Sequence, residues 1–308
     1  MRKAIIVGAL LTGTLIWLSS CHKDNTTAEP KLIFKMKLDS TQVRLDNFGN
    51  TATMPSGHAG QNPSFNKISA HYIEMAPGAL TALGSGTVLY RADETTVGGA
   101  NAIDFDKSSF VADGETFFSV PLKQVTAGTY EYLRVSIAYQ NYDVQFLLDT
   151  SVNVGGTNYP IYSMFPCRVA SFVGFNTYIK NVVMKNKTVT VNANKAQGYW
   201  AAESWGTIYG YTFDELLTGQ APPGATTVVN PISSTSPIPA NSCVVTAAFK
   251  PGKLTITGTE TKDVVVEVSL SINKSFEWQE VVNDGKWEPS KGENVVDMGL
   301  RGMVPTIK

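Results

Sequence analysis

Thr129-Tyr130-Glu131-Tyr132-Leu133-Arg134-Val135-Ser136-Ile137-Ala138-Tyr139-Gln140 is the stretch on which the fold turns. Successive side chains of a strand point to opposite faces. Tyr130, Tyr132, Arg134, Ser136 and Ala138 therefore share one face. Glu131, Leu133, Val135, Ile137 and Tyr139 share the other, where Leu133, Val135 and Ile137 make a core row. Gly128 before the stretch permits a tight turn from Val125. The same period of two appears at the start of the domain. There Leu32, Phe34, Met36 and Leu38 alternate with Lys31, Ile33, Lys35 and Lys37.

Outward from this stretch, strand candidates lie at 68–75, 86–91, 116–122, 144–148, 169–179, 187–192 and 197–205. Further candidates follow at 243–249, 253–257, 264–273, 276–282 and 295–300, with a hairpin turn at Asn283-Asp284-Gly285. Phe213 to Leu217 reads as a helical turn. Residues 46–67 and 218–242 read as long loops, the second stiffened by Pro222, Pro223, Pro231, Pro237 and Pro239. No fixed repeat and no heptads interrupt the pattern. The expectation is an all-β fold: an antiparallel β-sandwich or barrel-like domain over 31–308 with long Pro/Gly-rich loops, and a candidate subdivision near 150–165.

Residues 1–20 carry Arg2 and Lys3 ahead of an apolar core from Ala4 to Leu18, the layout of a secretory signal peptide. That core is shorter than the about 20 apolar residues of a comfortable span. Leu18-Ser19-Ser20-Cys21 resembles the lipobox of bacterial lipoproteins. The resemblance implies cleavage before Cys21 and acylation of that residue with palmitate-type chains, which attach the protein to a membrane. Residues 21–30 form a polar tether. Its Lys23-Asp24 pair resembles the lysine-plus-acids export signal of Bacteroidota surface lipoproteins, with Asn25 in place of the second acid. The expected location is the outer membrane, at the cell surface or on its periplasmic face.

Without the leader, 23 basic residues stand against 26 acidic ones, a net charge near −3. No basic excess is present to grip nucleic acid. Charged residues are 17% of the chain, a composition that suits strands and turns. There is no Gly-x-Ser-x-Gly elbow, His-Glu-x-x-His pair or phosphate loop. The chain is therefore expected to bind rather than catalyse. A hydrolase with dispersed acidic residues stays open, because paired acids distant in sequence leave no local mark.

Several constellations are candidates for a site. Tyr199, Glu203, Trp205, Tyr209 and Tyr211 would share a face if their strand ran straight. Aromatic rings with a carboxylate suit a glycan platform, and core aromatics are the alternative. His58, His71 and Met75 offer imidazole and thioether ligands of the kind copper takes. Asp104, Asp106 and Glu115 stand at the oxygen-ligand spacing of a calcium loop, with Ser109 where glycine belongs. Cys167 and Cys243 would close a loop of about 75 residues as a disulfide, or sit as two buried thiols. No resident cofactor is expected, with copper or calcium the metals these donors would take.

Ile68-Ser69-Ala70-His71-Tyr72-Ile73, Ala102-Ile103-Asp104-Phe105-Asp106 and Val125-Thr126-Ala127-Gly128-Thr129-Tyr130 resemble, in that order, the MbnP-like copper-binding family over residues 31–148. That resemblance implies a secreted β-domain that handles copper, although the family's ligands do not map residue by residue onto this chain. The whole sequence resembles uncharacterised Bacteroidota envelope lipoproteins. The expected function is a lipid-anchored, non-catalytic envelope protein that binds a glycan or another envelope protein.

Overall fold

The computed structural model describes residues 29–221 and 243–308; Cys21, its tether as far as residue 28 and most of the proline-rich loop lie outside them. The domain opens with β1 (Lys31–Asp39), β2 (His58–Gln61), β3 (Ser64–Ala76) and β4 (Thr87–Arg91). Next come β5 (Glu94–Thr95), β6 (Ala102–Asp104), β7 (Thr116–Pro121) and β8 (Gly128–Tyr130). Two long strands follow, β9 (Tyr132–Val154) and β10 (Thr157–Phe172). After them stand β11 (Asn176–Val183), β12 (Thr188–Ala196), β13 (Tyr199–Ile208) and β14 (Tyr211–Gln220). The last stretch holds β15 (Cys243–Ala248), β16 (Leu254–Ile256), β17 (Val264–Ser271), β18 (Phe276–Gln279), β19 (Val295–Asp297) and β20 (Met303–Ile307).

The fold is all-β, as the alternation requires, with antiparallel sheets and a curled half-barrel. Its largest sheet runs β14-β13-β10-β9-β3-β4, and β15 lies against the first part of β9. A second sheet, β20-β17-β1-β7, covers one face, and its central pair β1 and β17 is parallel. Leu32, Phe34 and Met36 from β1, with Val266, Val268 and Leu270 from β17, bury against Leu133, Val135, Ile137, Ile73 and Met75. Each such side chain contributes about 1.5–3 kcal/mol on burial. Three smaller sheets, β12-β11-β6-β5, β19-β18-β2 and the pair β16-β8, complete the fold among the described residues.

The core row expected in β9, Leu133, Val135 and Ile137, is correct, but Tyr139 leaves the face it was expected to share with them. Ser69 pairs with Tyr139 and Ala70 with Ile137, which leaves Ala138 as the extra residue of a bulge. A one-residue insertion reverses which face the following side chains take. Tyr139 consequently packs with Phe105, Phe172 and Tyr199 in a separate cluster. Arg134, on the face opposite the core row, is fully buried and lies 3.6 Å from the equally buried Glu74. Glu74 accepts the Gly84 and Gly86 N–H groups, and Arg134 donates to the Ala79 carbonyl. The pair thereby fastens the 77–86 loop to the sheet.

Other boundaries moved. Residues 144–148 are the middle of β9, not a separate strand, and 213–217 lie in β14, not in a helical turn. The region 150–165 is the outer end of the β9–β10 hairpin, whose pairing is unbroken from Val154↔Thr157 to Tyr139↔Phe172. Cys167 and Cys243 are both free, against the disulfide reading. Cys167 is flanked across the sheet by Val144 and Ser204, while Cys243 pairs with Ile137, so each thiol faces its own apolar cluster. Burial pushes both thiols up to about 12.

Candidate functional site

The aromatic segment folds into the β13–β14 hairpin, and its row divides. Tyr199, Glu203 and Trp205 do share a face, but that face is occupied. Tyr199 is buried beside Phe172, with Lys195 Nζ 4.8 Å from its ring centre. Glu203 is fully buried, and its carboxylate accepts the backbone N–H groups of Lys185, Asn186 and Lys187 at 2.7–3.3 Å. The turn between β11 and β12 thus sits on this carboxylate. Lys185 Nζ lies 3.6 Å from the Trp205 ring centre and covers it. These three residues hold the β11–β12 hairpin down, and the platform reading is corrected for them.

Tyr209 and Tyr211 escape that role because of the turn. Tyr209 and Gly210 both have positive φ, 50° and 86°, as a two-residue hairpin turn requires. The chain reverses there, and Tyr211 pairs with Ile208, which puts it on the opposite face from Trp205. Tyr209 is 58% exposed and Tyr211 80% exposed. Beside them runs the outer end of the β9–β10 hairpin, which carries Tyr159 at 41% and Tyr162 at 64%. The Tyr159 and Tyr209 ring centres are 5.6 Å apart, edge to face, and the Tyr209 hydroxyl donates to the Pro160 carbonyl. Lys286 Nζ donates to the Tyr162 hydroxyl at 3.1 Å. Two hairpins are therefore tied together at their ends, with four tyrosine rings at the surface. Residues 150–163 and 206–213 contain no charged side chain.

Tyr159 and Tyr162 are absent from the sequence-derived candidates. Val154-Gly155-Gly156-Thr157 carried the signal, a Gly-Gly hairpin turn between alternating residues. Both glycines have positive φ, 60° and 85°. Reading that turn would have placed residues 150–162 on one hairpin and its tyrosines at the end.

The metal candidates are dispersed. His58 Nδ1 lies 2.6 Å from Glu277 Oε1, on strands β2 and β18. Burial opposes ionisation of Glu277, but His58 and Arg44 outweigh it and hold its carboxyl below the usual range. His71 Nε2 is 2.9 Å from Glu94 Oε1, inside a fully buried site, and Met75 packs in the main core. Burial lowers the His71 pKa despite that carboxylate. Asp104 and Asp106 face Lys107 and Lys180, and Glu115 accepts the Ala112 N–H at 2.8 Å. Among the described residues no three His, Cys, Asp or Glu side chains come together to hold a metal ion. Both the copper and the calcium groupings are corrected on that ground, since a hard or borderline cation needs several donors at once.

No known family model, curated protein or solved structure matches this chain.

Proposed function

We propose that the chain is a lipid-anchored, non-catalytic binding protein of the bacterial envelope whose contact face is the tyrosine-bearing pair of hairpin ends. The observation that carries this reading is the surface group Tyr159, Tyr209 and Tyr211 on two hairpins that brace one another, with Tyr162 on the opposite face of β10. The ligand class it fits is a neutral glycan. Pyranose rings present C–H faces that stack on aromatic rings, and phenolic hydroxyls offer donors and acceptors to sugar hydroxyls. Rings already fixed by neighbouring strands lose little freedom on binding. The hairpin ends carry no charged side chain of their own, and Lys286 beside Tyr162 is already paired with Asp284, which argues against an anionic ligand.

The test is a glycan array probed with the full mature chain. Tyr159→Ala and Tyr211→Ala should each weaken any hit at least tenfold, about 1.4 kcal/mol. Neither ring is in an internal cluster, so folding should be retained. A blank array, or hits indifferent to both substitutions, would overturn the glycan reading and leave a protein partner for this face. The anchoring reading rests on Leu18-Ser19-Ser20-Cys21. Mass spectrometry of the membrane-extracted protein should show an acylated N-terminal Cys21, and a free amino terminus there would remove it.

A further inference from the structure

A cavity of about 380 Å³ lies on the sheet face that carries Val169 and Ala202, away from the surface tyrosines. Its floor is β10 and β13, with Val169, Val173 and Trp200. Its opposite wall is Trp287, Val296 and Met298, from the connection around β19. Trp200 reaches it across the bare backbone of Gly219, whose Cβ, if present, would stand 2.4 Å from the indole. Ligand cavities run from about 300 Å³ upward. An apolar hole of about 150 Å³ already admits a benzene ring, so this one has room for a larger ring system.

The polar groups at the wall decide what it would take. Glu293 has both carboxylate oxygens engaged by the N–H groups of Val281, Val282 and Glu288. Asp297 accepts the Gly299 N–H at 2.7 Å and pairs with Arg301. Gln220 donates to the Gln197 carbonyl. These groups are spent on the protein itself. Ser171 keeps a hydroxyl, and Asn294 at the exposed rim an amide, without a side-chain partner among the described residues, few polar handles for an apolar chamber. A sugar would leave most of its hydroxyls unpaired here, at about 1–3 kcal/mol each. A charged ligand would be desolvated with no counter-charge free to meet it. Cys243 also lines the cavity, but burial pushes its thiol up to about 12, so it offers no nucleophile.

We infer that this cavity is a second binding site, one that takes an uncharged, largely apolar molecule of one or two rings without covalent chemistry. The test uses the full mature chain with Cys21→Ser, so that no acyl chain competes for the probe. N-phenyl-1-naphthylamine, which is neutral, should bind saturably and one to one, with energy transfer from tryptophan. The sulfonated analogue 8-anilinonaphthalene-1-sulfonate should bind at least tenfold more weakly. Ala202→Phe and Val296→Phe, which fill the chamber from opposite walls, should each reduce the affinity at least tenfold while unfolding stays cooperative. Absence of saturable binding by the neutral probe overturns the inference, as does an anion that binds equally well. Affinity unchanged within twofold in either folded variant overturns it too.

Discussion

His71 shows how a single residue can look like a ligand and be something else. In the sequence it shares a strand face with Met75 and invites a metal. In the fold it is fully buried, its Nε2 is 2.9 Å from Glu94, and its ring centre lies 5.3 Å from that of Phe175. Burial disfavours the imidazolium and lowers its pKa from the usual 6.5, although Glu94 pulls the other way. The unfolded chain then takes up the proton at a higher pH than the folded one. Stability from this group is complete above about pH 6.5 and falls as the pH drops toward the folded pKa. His71→Gln keeps a donor for Glu94 and removes the titration. Its stability, from urea unfolding at pH 7 and pH 5, should fall less than that of the unsubstituted chain, by up to about 1.4 kcal/mol per pH unit. Equal slopes would place the protonation elsewhere. Nothing in the local sequence could have separated the two roles, because Glu94 arrives from a different strand, 23 residues later.

At the scale of the element, β9 was legible in its first half and misread at one point. Alternation correctly assigned Leu133, Val135 and Ile137, since a half-buried strand must repeat every two residues. Ala138 breaks that count, and no composition cue marks it: alanine fits either face, and tyrosine fits a core or a surface. The bulge is visible only through its partners, because Val173 and Gly174 both donate their N–H groups to the Ala138 carbonyl, at 2.9 and 3.1 Å. It lets one strand line the main core before it and place Tyr139 in the Phe105–Phe172 cluster after it. Deleting Ala138 would place Tyr139 directly after Ile137, still opposite Ser69 and still on the face away from the core row, but would remove the carbonyl that accepts from Val173 and Gly174. The deletion should therefore keep the fold and cost about 1–3 kcal/mol for each N–H group left without an acceptor. Ala138→Gly, which preserves the count, should cost only about 1 kcal/mol. Thermal melts of the two variants compare them directly. A deletion variant that does not fold would show that residue count alone does not set the faces of β9. The β13–β14 hairpin went wrong for a related reason. Asp214-Glu215-Leu216-Leu217 reads as a helical turn, but it pairs across to Trp205, Ser204, Glu203 and Ala202, where Leu217 can remain exposed.

Across the whole molecule, the sequence left open a subdivision near residues 150–165. The topology argues against it. β1 finds its parallel partner in β17, more than 200 residues later, with Leu32 opposite Val264 and Asp39 opposite Ser271. β9 is flanked by β3 on one side and by β10 and β15 on the other. Gly155 and Gly156 are an exposed turn at the far end of a hairpin, so cutting there severs no ladder bond between core strands. Yet neither piece has what it needs alone. Residues 31–155 would leave β1 and β9 with open edges and the row Leu133-Val135-Ile137 facing water. Residues 156–308 would hold β17 without β1 and β10 without β9. Long-range pairing of this kind also makes folding slow, because loop closure precedes the contacts that offset it. Unfolding of the intact chain, followed by circular dichroism and tryptophan fluorescence, should give one coincident transition. The two fragments made separately should show none, while a chain nicked after Gly155 should remain associated under native conditions. A cooperative melt from either fragment by itself would restore the subdivision, and with it a two-domain protein.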